Sequence, residues 1–306
     1  MAKIYAVGES ILDIMFRDGQ VEASRPGGSS FNTAISLGRL GLPVSFFSET
    51  GMDQVGDMIR DFLESNGVDA TGLYRFTEGQ SAIALAFLDS KSDATYQFFK
   101  AYPEKRLDVA YPDFHPGDLL MFGSFFALES GIRPRIKSLL DKALGEGATL
   151  VYDPNFRASH KEDRDRLLSV IRENMSMAHL VRASNEDLEN IFGVKGPDQA
   201  WEVLGKLCPV MVYTTGGREV HLRSQNLAFS LEVEEIEPLS TIGAGDTFNA
   251  GIIYGLYRGG YGREQIPELG REQWTEILNW AMVFSREVCM SYDNYLPEEL
   301  AGRYRI

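Results

Sequence analysis

Short runs of β-branched and aromatic residues alternate along the chain with longer stretches whose apolar positions recur every three or four residues. Runs of the first kind suit strands buried on both faces, and stretches of the second kind suit helices with one apolar side. Strands are predicted at "KIYAVG", "VSFFSE", "DLLMFG", "ATLVYD", "HLVRAS" and "PVMVYTT". Helices are predicted over 31–40, 55–65, 134–144, 164–173, 185–192, 199–206, 247–257 and 273–290. This rhythm specifies an α/β fold around a mostly parallel sheet.

Two regions break it. Residues 11–16, and then roughly 73–99, read as strands with no helix between them. In "SAIALAFLD" the large Ile83, Leu85 and Phe87 alternate with the small Ala82, Ala84 and Ala86. Such a strand has two unlike faces: one can enter a core, and the other leaves room for a close approach. The insertions, at approximately 11–25 and 73–105, predict a small β-sheet lid over a single α/β domain spanning 1–306. An exposed sheet edge invites pairing, so a homodimer joined through the lid is expected.

Composition narrows the function. The 306 residues are 44% hydrophobic, enough for a large core, and the formal net charge is −14. That charge argues against a nucleic-acid tracker, which needs a basic footprint, and against docking on anionic membranes. An anionic small ligand would need local backbone N–H groups, a few placed cations or a metal. Cys208 and Cys289 match no metal spacing and read as reduced core residues, which suits a cytoplasmic protein. His115, His160, His179 and His221 are scattered, so a catalytic zinc is not expected. "MAKIYAVGES" reads as a first strand, not a signal peptide, and "LLMFGSFFAL" is too short to span a bilayer.

The chemistry concentrates in "LSTIGAGDTFNAG", residues 239–251. A helix starting near Asp246 would present N–H groups without intrahelical partners, at the positive end of its dipole. Gly243 and Gly245 would clear the way for a phosphate to reach those groups. A carboxylate repels phosphate unless it has a task, and accepting a proton from an attacking hydroxyl is one. Equally, Asp246 could be an ordinary N-cap on a tight loop.

"TIGAGDTFNAG" resembles the second signature of the ribokinase/PfkB family of carbohydrate kinases, D-T-x-G-A-G-D, and "RPGGSSFNTAISLGRLG" is similar to its first, G-G-x-x-x-N. The resemblance covers essentially the whole chain. It implies a three-layer α/β/α ribokinase-like fold with a mostly parallel central sheet, and transfer from ATP, with Mg²⁺, to a sugar hydroxyl. By the same resemblance Asp246 is the catalytic base, and the backbone of Gly243, Ala244 and Gly245 is the anion hole. Asp13, in "GESILDIMF", matches the acid that binds sugar hydroxyls, although a strand charge facing solvent is the plain alternative. Gly27, Gly28 and Asn32 match the sugar-contacting turn, which would also serve as a helix entry capped by Ser29 or Ser30.

Arg157 closes "DPNFR", a D-x-N-x-R run found in sugar and ketodeoxy-acid kinases of the family, and could bond a phosphate or form a surface ion pair. Thr214 and Gly216 in "YTTGG" match the turn beside ATP, and Asn279 opens a stretch where adenine-facing residues fall. In "YQFFKAYP", Phe99 and Lys100 could cover the sugar, or the aromatic residues could form a lid core.

Some positions depart from the pattern. Ser240 stands where the signature opens with Asp, and Asp293 occupies a usual glycine, which puts potassium activation in doubt. The metal-associated N-x-x-E motif becomes Ser184 and Asp187, with Asp187 reaching Mg²⁺ through water and Glu186 as its neighbour candidate. Fructose is the expected substrate from the resemblance of "GESILDI", "DPNFR" and "SNEDLENIFG" to fructokinase-like members, with 2-keto-3-deoxygluconate the nearest rival. Lys100, Arg106 and Arg157 are the cations available to such an acid. Another sugar or nucleoside substrate, or a sugar- and nucleotide-binding regulator without catalysis, stays open as well. A dehydrogenase does not fit, because "YAVGESILD" lacks G-x-G-x-x-G, and no Walker A run occurs.

Overall fold

A computed structural model describes residues 2–88 and 94–306. The chain starts with the buried strand β1 (Ile4–Val7), then turns up into β2 (Ile11–Arg17) and β3 (Gln20–Gly27) before its first helix, α1 (Ser29–Arg39). Strand β4 (Val44–Gly51), helix α2 (Gln54–Ser65) and the short strands β5 (Val68–Asp69) and β6 (Leu73–Phe76) follow. The chain rises again into β7 (Gln80–Leu88) and β8 (Ala94–Ala101). From there it alternates: β9 (Leu119–Gly123), α3 (Arg133–Gly145), β10 (Thr149–Asp153), α4 (Arg164–Met177), β11 (Leu180–Ser184), α5 (Asn185–Phe192), α6 (Gly196–Leu204) and β12 (Val210–Thr214). A hairpin of β13 (Glu219–Ser224) and β14 (Ala228–Glu232) precedes α7 (Ala244–Gly259), α8 (Arg271–Cys289) and α9 (Glu298–Tyr304).

The main sheet runs β14-β13-β12-β11-β10-β9-β1-β4-β5, with β6 beside β4. Its central pairs are parallel, and only the β12–β13–β14 end is antiparallel. Strands β1, β9, β10 and β12 are buried along their whole length, as strands covered by helices on both faces must be. Two apolar clusters fill the two sides. One contains Phe31, Phe46, Trp274 and Phe284 under α1, α7 and α8; the other contains Phe122, Tyr152 and Ile171 under α3 and α4. Gly251 and Gly255 let α7 lie directly on α8, because a Cβ at Gly255 would come within 3.0 Å of the Ile277 backbone.

Strands β3-β2-β7-β8 form the separate lid sheet. The expected lid boundaries need one correction: β6 lies within the predicted 73–105 insertion but pairs in parallel with β4, so it belongs with the body. The part of that insertion spanning 89–93 lies outside the described residues. The predicted two-faced strand is β7. Ala82, Ala84 and Ala86 are buried and Phe87 is exposed, so the small side chains face inward, where Tyr96 and Tyr102 pack over them.

Candidate active site

Two helices open toward each other below the lid. Helix α1 has Gly28 as N-cap with φ 129°, and α7 has Gly243 as N-cap with φ 80°. Neither mouth is closed by a side-chain cap. Glycine is required at both: a Cβ on Gly28 would collide with the Glu9 carbonyl, and one on Gly243 with the Asn294 carbonyl.

Asp246 therefore sits in the first turn of α7, not at its cap. Its Oδ1 accepts from Ser29 Oγ at 2.7 Å and its Oδ2 from Asn32 Nδ2 at 2.8 Å. Thr33 Oγ1 donates to the Asp246 carbonyl at 2.8 Å, which fastens α1 to α7. The carboxylate thus points across to the facing helix. Desolvation raises its pKa, and the Ser29 and Asn32 hydrogen bonds and the charge of Arg157 only partly offset that. Ser29 thus serves the acid, where the sequence suggested a cap.

Asp13 approaches the same space from β2. Its Oδ2 lies 2.6 Å from where a Cβ on Gly27 would stand, and Asn32 Oδ1 lies 3.8 Å from that point. Asn32 Oδ1 is buried and accepts no hydrogen bond among the described residues. Burial pushes the Asp13 carboxyl up to about 7; Arg157 pulls it down and Glu9 pushes it further up. Two acceptors that border Gly27 and have no donor among the described residues fit a ligand that brings hydroxyl groups.

Arg157 is exposed on the turn after β10, and its charge acts on both Asp13 and Asp246. Its turn is held from behind. Asn155 N donates to Asp153 Oδ1 at 2.9 Å, and Phe156 N donates to Asp187 Oδ1 at 2.6 Å. Asp187 also closes a capping box on α5, its Oδ2 accepting from Ser184 N at 2.8 Å and Ser184 Oγ at 2.6 Å. Asp187 was expected at a metal; the structure gives it the task of holding the Arg157 turn and capping α5. Three donors leave its carboxylate roughly one of about four lone-pair positions, enough for a contact through water. Glu186 is exposed in the first turn of α5. Among the described residues no three His, Cys, Asp or Glu side chains converge on a metal position.

Thr214 is buried at the end of β12, and Gly216, with φ 66°, lies in the open turn beyond it. Thr214 Oγ1 accepts from Arg182 Nη2 at 2.9 Å. Arg182 is a residue that sequence reasoning missed. The available signal was a full charge inside "HLVRAS", in a strand otherwise reading as buried. Asn279 is exposed on α8 and lines a groove of about 600 Å³ with Arg271, Thr275, Glu276 and Val283. No described hydrogen bond or ion pair joins Asn279 to Asp246 or Thr214.

In the lid, Lys100 Nζ pairs with Glu9 Oε1 at 2.5 Å, and Tyr102 donates to the same oxygen at 3.0 Å. The idea that Phe99 covers the sugar needs correction. Asp13 pairs with Ala84 and Ala84 with Phe98, whereas Phe99 pairs with Ile83, so Phe99 lies on the opposite face from Asp13. Arg106 is committed to the buried Glu49, which also accepts from Leu107 N at 3.0 Å. Finally Arg25, opposite Asp13 on β3, reaches the segment after α8. It donates to the Tyr292 carbonyl at 2.5 Å and to Asp293 Oδ1 at 2.8 Å.

A family model described as pfkB family carbohydrate kinase matches residues 1–270. A fructokinase of Rhizobium leguminosarum bv. trifolii is 30% identical over 264 residues, covering 83% of this chain and 79% of that protein. Among solved structures, fructokinase from Vibrio cholerae O395 with fructose, ADP and calcium ion aligns at a TM-score of 0.85 and 20% identity, covering 100% of this chain and 99% of that one. Aminoimidazole riboside kinase from Salmonella enterica, complexed with aminoimidazole riboside and an ATP analog, aligns at 0.84 and 20% identity over 99% of both chains. At these identities the structural likeness establishes the ribokinase-like fold. No helix among the described residues is long and apolar enough to cross a membrane.

Proposed function

Because this chain belongs to the pfkB family of carbohydrate kinases, we propose that it moves the γ-phosphoryl group of ATP to a primary hydroxyl of a small neutral sugar, with fructose the first candidate. The observation that carries this reading is the carboxylate of Asp246. It is fixed by Ser29 and Asn32 at the open mouth of α7, and its proton affinity is raised by burial.

Asp13 and Asn32 Oδ1 accept from hydroxyls of the sugar and orient it. Asp246 takes the proton of the attacking hydroxyl as the oxygen–phosphorus bond forms. The bare amides from Gly243 to Gly245 stabilise the charge on the migrating group, and ADP leaves. Arg157 lies within electrostatic reach of both carboxylates and offsets the approach of an anion to a chain of net charge −14. The groups that would hold Mg²⁺ are Glu186 and, through water, Asp187; the ion would neutralise charge on the nucleotide phosphates.

Pairing in the lid favours a neutral sugar over a sugar acid. Lys100 is bound to Glu9 and Arg106 to Glu49, so two of the three cations that a substrate carboxylate could use are already occupied. Coupled ADP release with Mg²⁺, ATP and a sugar panel tests the assignment. Fructose should lead; a higher kcat/KM for 2-keto-3-deoxygluconate would transfer the assignment to the acid, and silence with every sugar would leave a binding protein.

The lid also supports a homodimer. Its edges are β3 and β8, where Val21 and Phe99 are 61% and 49% exposed, and Phe87 on the inner strand β7 is 43% exposed. A sedimentation mass of one chain at micromolar concentration would overturn that pairing.

A further inference from the structure

Arg182 has no role in the site as derived so far, yet it lies against it. The residue stands in the middle of β11, between β10 and β12, where a charge is expensive unless paired. Its side chain is only 11% exposed. Nη1 donates to Asp153 Oδ2 at 2.9 Å, Nη2 donates to Thr214 Oγ1 at 2.9 Å, and the guanidinium lies 5.4 Å from the centre of the Phe248 ring. Asn249 Nδ2 holds the same Asp153 oxygen at 2.6 Å, so the carboxylate that anchors the arginine is itself anchored by α7.

Two features go beyond a structural ion pair. First, Nη1 lies 3.0 Å from the position a Cβ would take on Gly245, so the guanidinium lines the first turn of α7, beside the amides assigned above to the migrating phosphoryl group. Second, the donors are incompletely used. A guanidinium carries five N–H groups in a planar fork, and those bonded to Asp153 and Thr214 account for two. Nε is buried with no acceptor among the described residues, and each terminal nitrogen keeps a second hydrogen. An arginine pinned on two sides, with donors to spare beside helix N–H groups, has the geometry that recognises a phosphate oxygen.

We propose that Arg182 is a donor-side phosphate contact, binding the polyphosphate of the nucleotide from beneath Gly245 while Asp153 and Thr214 hold its fork in place. Arg157 then serves the acceptor side, acting on Asp13 and Asp246, and Arg182 serves the donor side. The nature of the donor rests on the kinase reading, but the test does not depend on turnover.

ADP, inorganic pyrophosphate and fructose are titrated calorimetrically into the wild type, Arg182→Met and Arg182→Lys. Arg182→Met should weaken ADP and pyrophosphate at least tenfold and change fructose affinity less than twofold; Arg182→Lys should recover part of the loss. Should Arg182→Met fail to fold, the Asp153→Asn/Arg182→Met double variant removes both buried charges and takes its place. Unchanged ADP and pyrophosphate affinity in either neutral variant overturns the proposal, as does wild-type ADP affinity in Arg182→Lys, which cannot span three partners. Equal weakening of fructose and ADP would make Arg182 a purely structural residue. If the kinase reading alone is wrong, the wild type releases no ADP with any sugar while these binding differences persist.

Discussion

Helices α2 and α5 begin differently from α1 and α7. Asp53 caps α2 by accepting from Gly56 N at 2.8 Å, and Ser184 with Asp187 closes a full capping box on α5. Helices α1 and α7 start on glycines, and the acids and hydroxyls nearby bond to each other across the gap instead of to their own helix ends. Closed starts are stabilised by their own side chains. The open starts of α1 and α7 leave donors for something else, and only glycine tolerates the backbone and the crowding at these two.

The sharpest way to break this comparison is Asp246→Asn. It leaves the α1–α7 contact largely in place and removes the proton acceptor. Turnover should fall by about two to four orders of magnitude, with sugar affinity nearly unchanged by calorimetry. Turnover near wild type would return Asp246 to a structural role.

Gly243→Ala should come next. It combines a left-handed φ of 80° with overlap against the Asn294 carbonyl, so a loss of about 1–3 kcal/mol in denaturant unfolding is expected, together with weaker ADP binding. Wild-type values for both would mean that the open mouth has no strict requirement for glycine.

At a closed start the pattern should reverse. Ser184→Ala should cost about 0.5–2 kcal/mol in stability and leave kcat within a few-fold, because Asp187 keeps its bond to Phe156 N. A large fall in kcat with unchanged stability would show that α5 is part of the chemistry after all.

The smallest effect concerns pH. Asp13 has a folded pKa of about 7, above its ordinary value, so the folded state holds a proton that the unfolded chain releases. Its contribution to stability is present in full below the unfolded value and is lost as pH rises through about 7. The ligand-free wild type should therefore lose thermal stability relative to Asp13→Asn between pH 5 and pH 8, while its fructose affinity rises as the carboxylate ionises. Parallel stability curves for the two proteins would sink this assignment.

How much of this could be read in advance depended on distance along the chain. The predicted helix 185–192 coincides with α5, and 55–65 falls within α2, because cap, apolar face and end are local signals. Both signature turns were legible for the same reason: glycine reports a backbone demand where it stands. Arg182 was not, since its partners Asp153, Thr214 and Gly245 come from three other elements. Phe99 was lost to strand parity, where one residue decides between the inner and outer face. Asp187 read only as a metal-side acid because its partner Phe156 N arrives from the turn after β10.

The reach of Arg25 joins the two halves of the cleft mechanically. It leaves the lid opposite Asp13 and holds Tyr292 and Asp293, and the next carbonyl, that of Asn294, fills the space a side chain on Gly243 would need. A guanidinium so placed behaves as a tie rod: a swing of the lid must either snap it or drag the 292–294 stretch along. The lid strand that carries Arg25 and the segment that backs the first turn of α7 are thus fastened to each other through a single side chain.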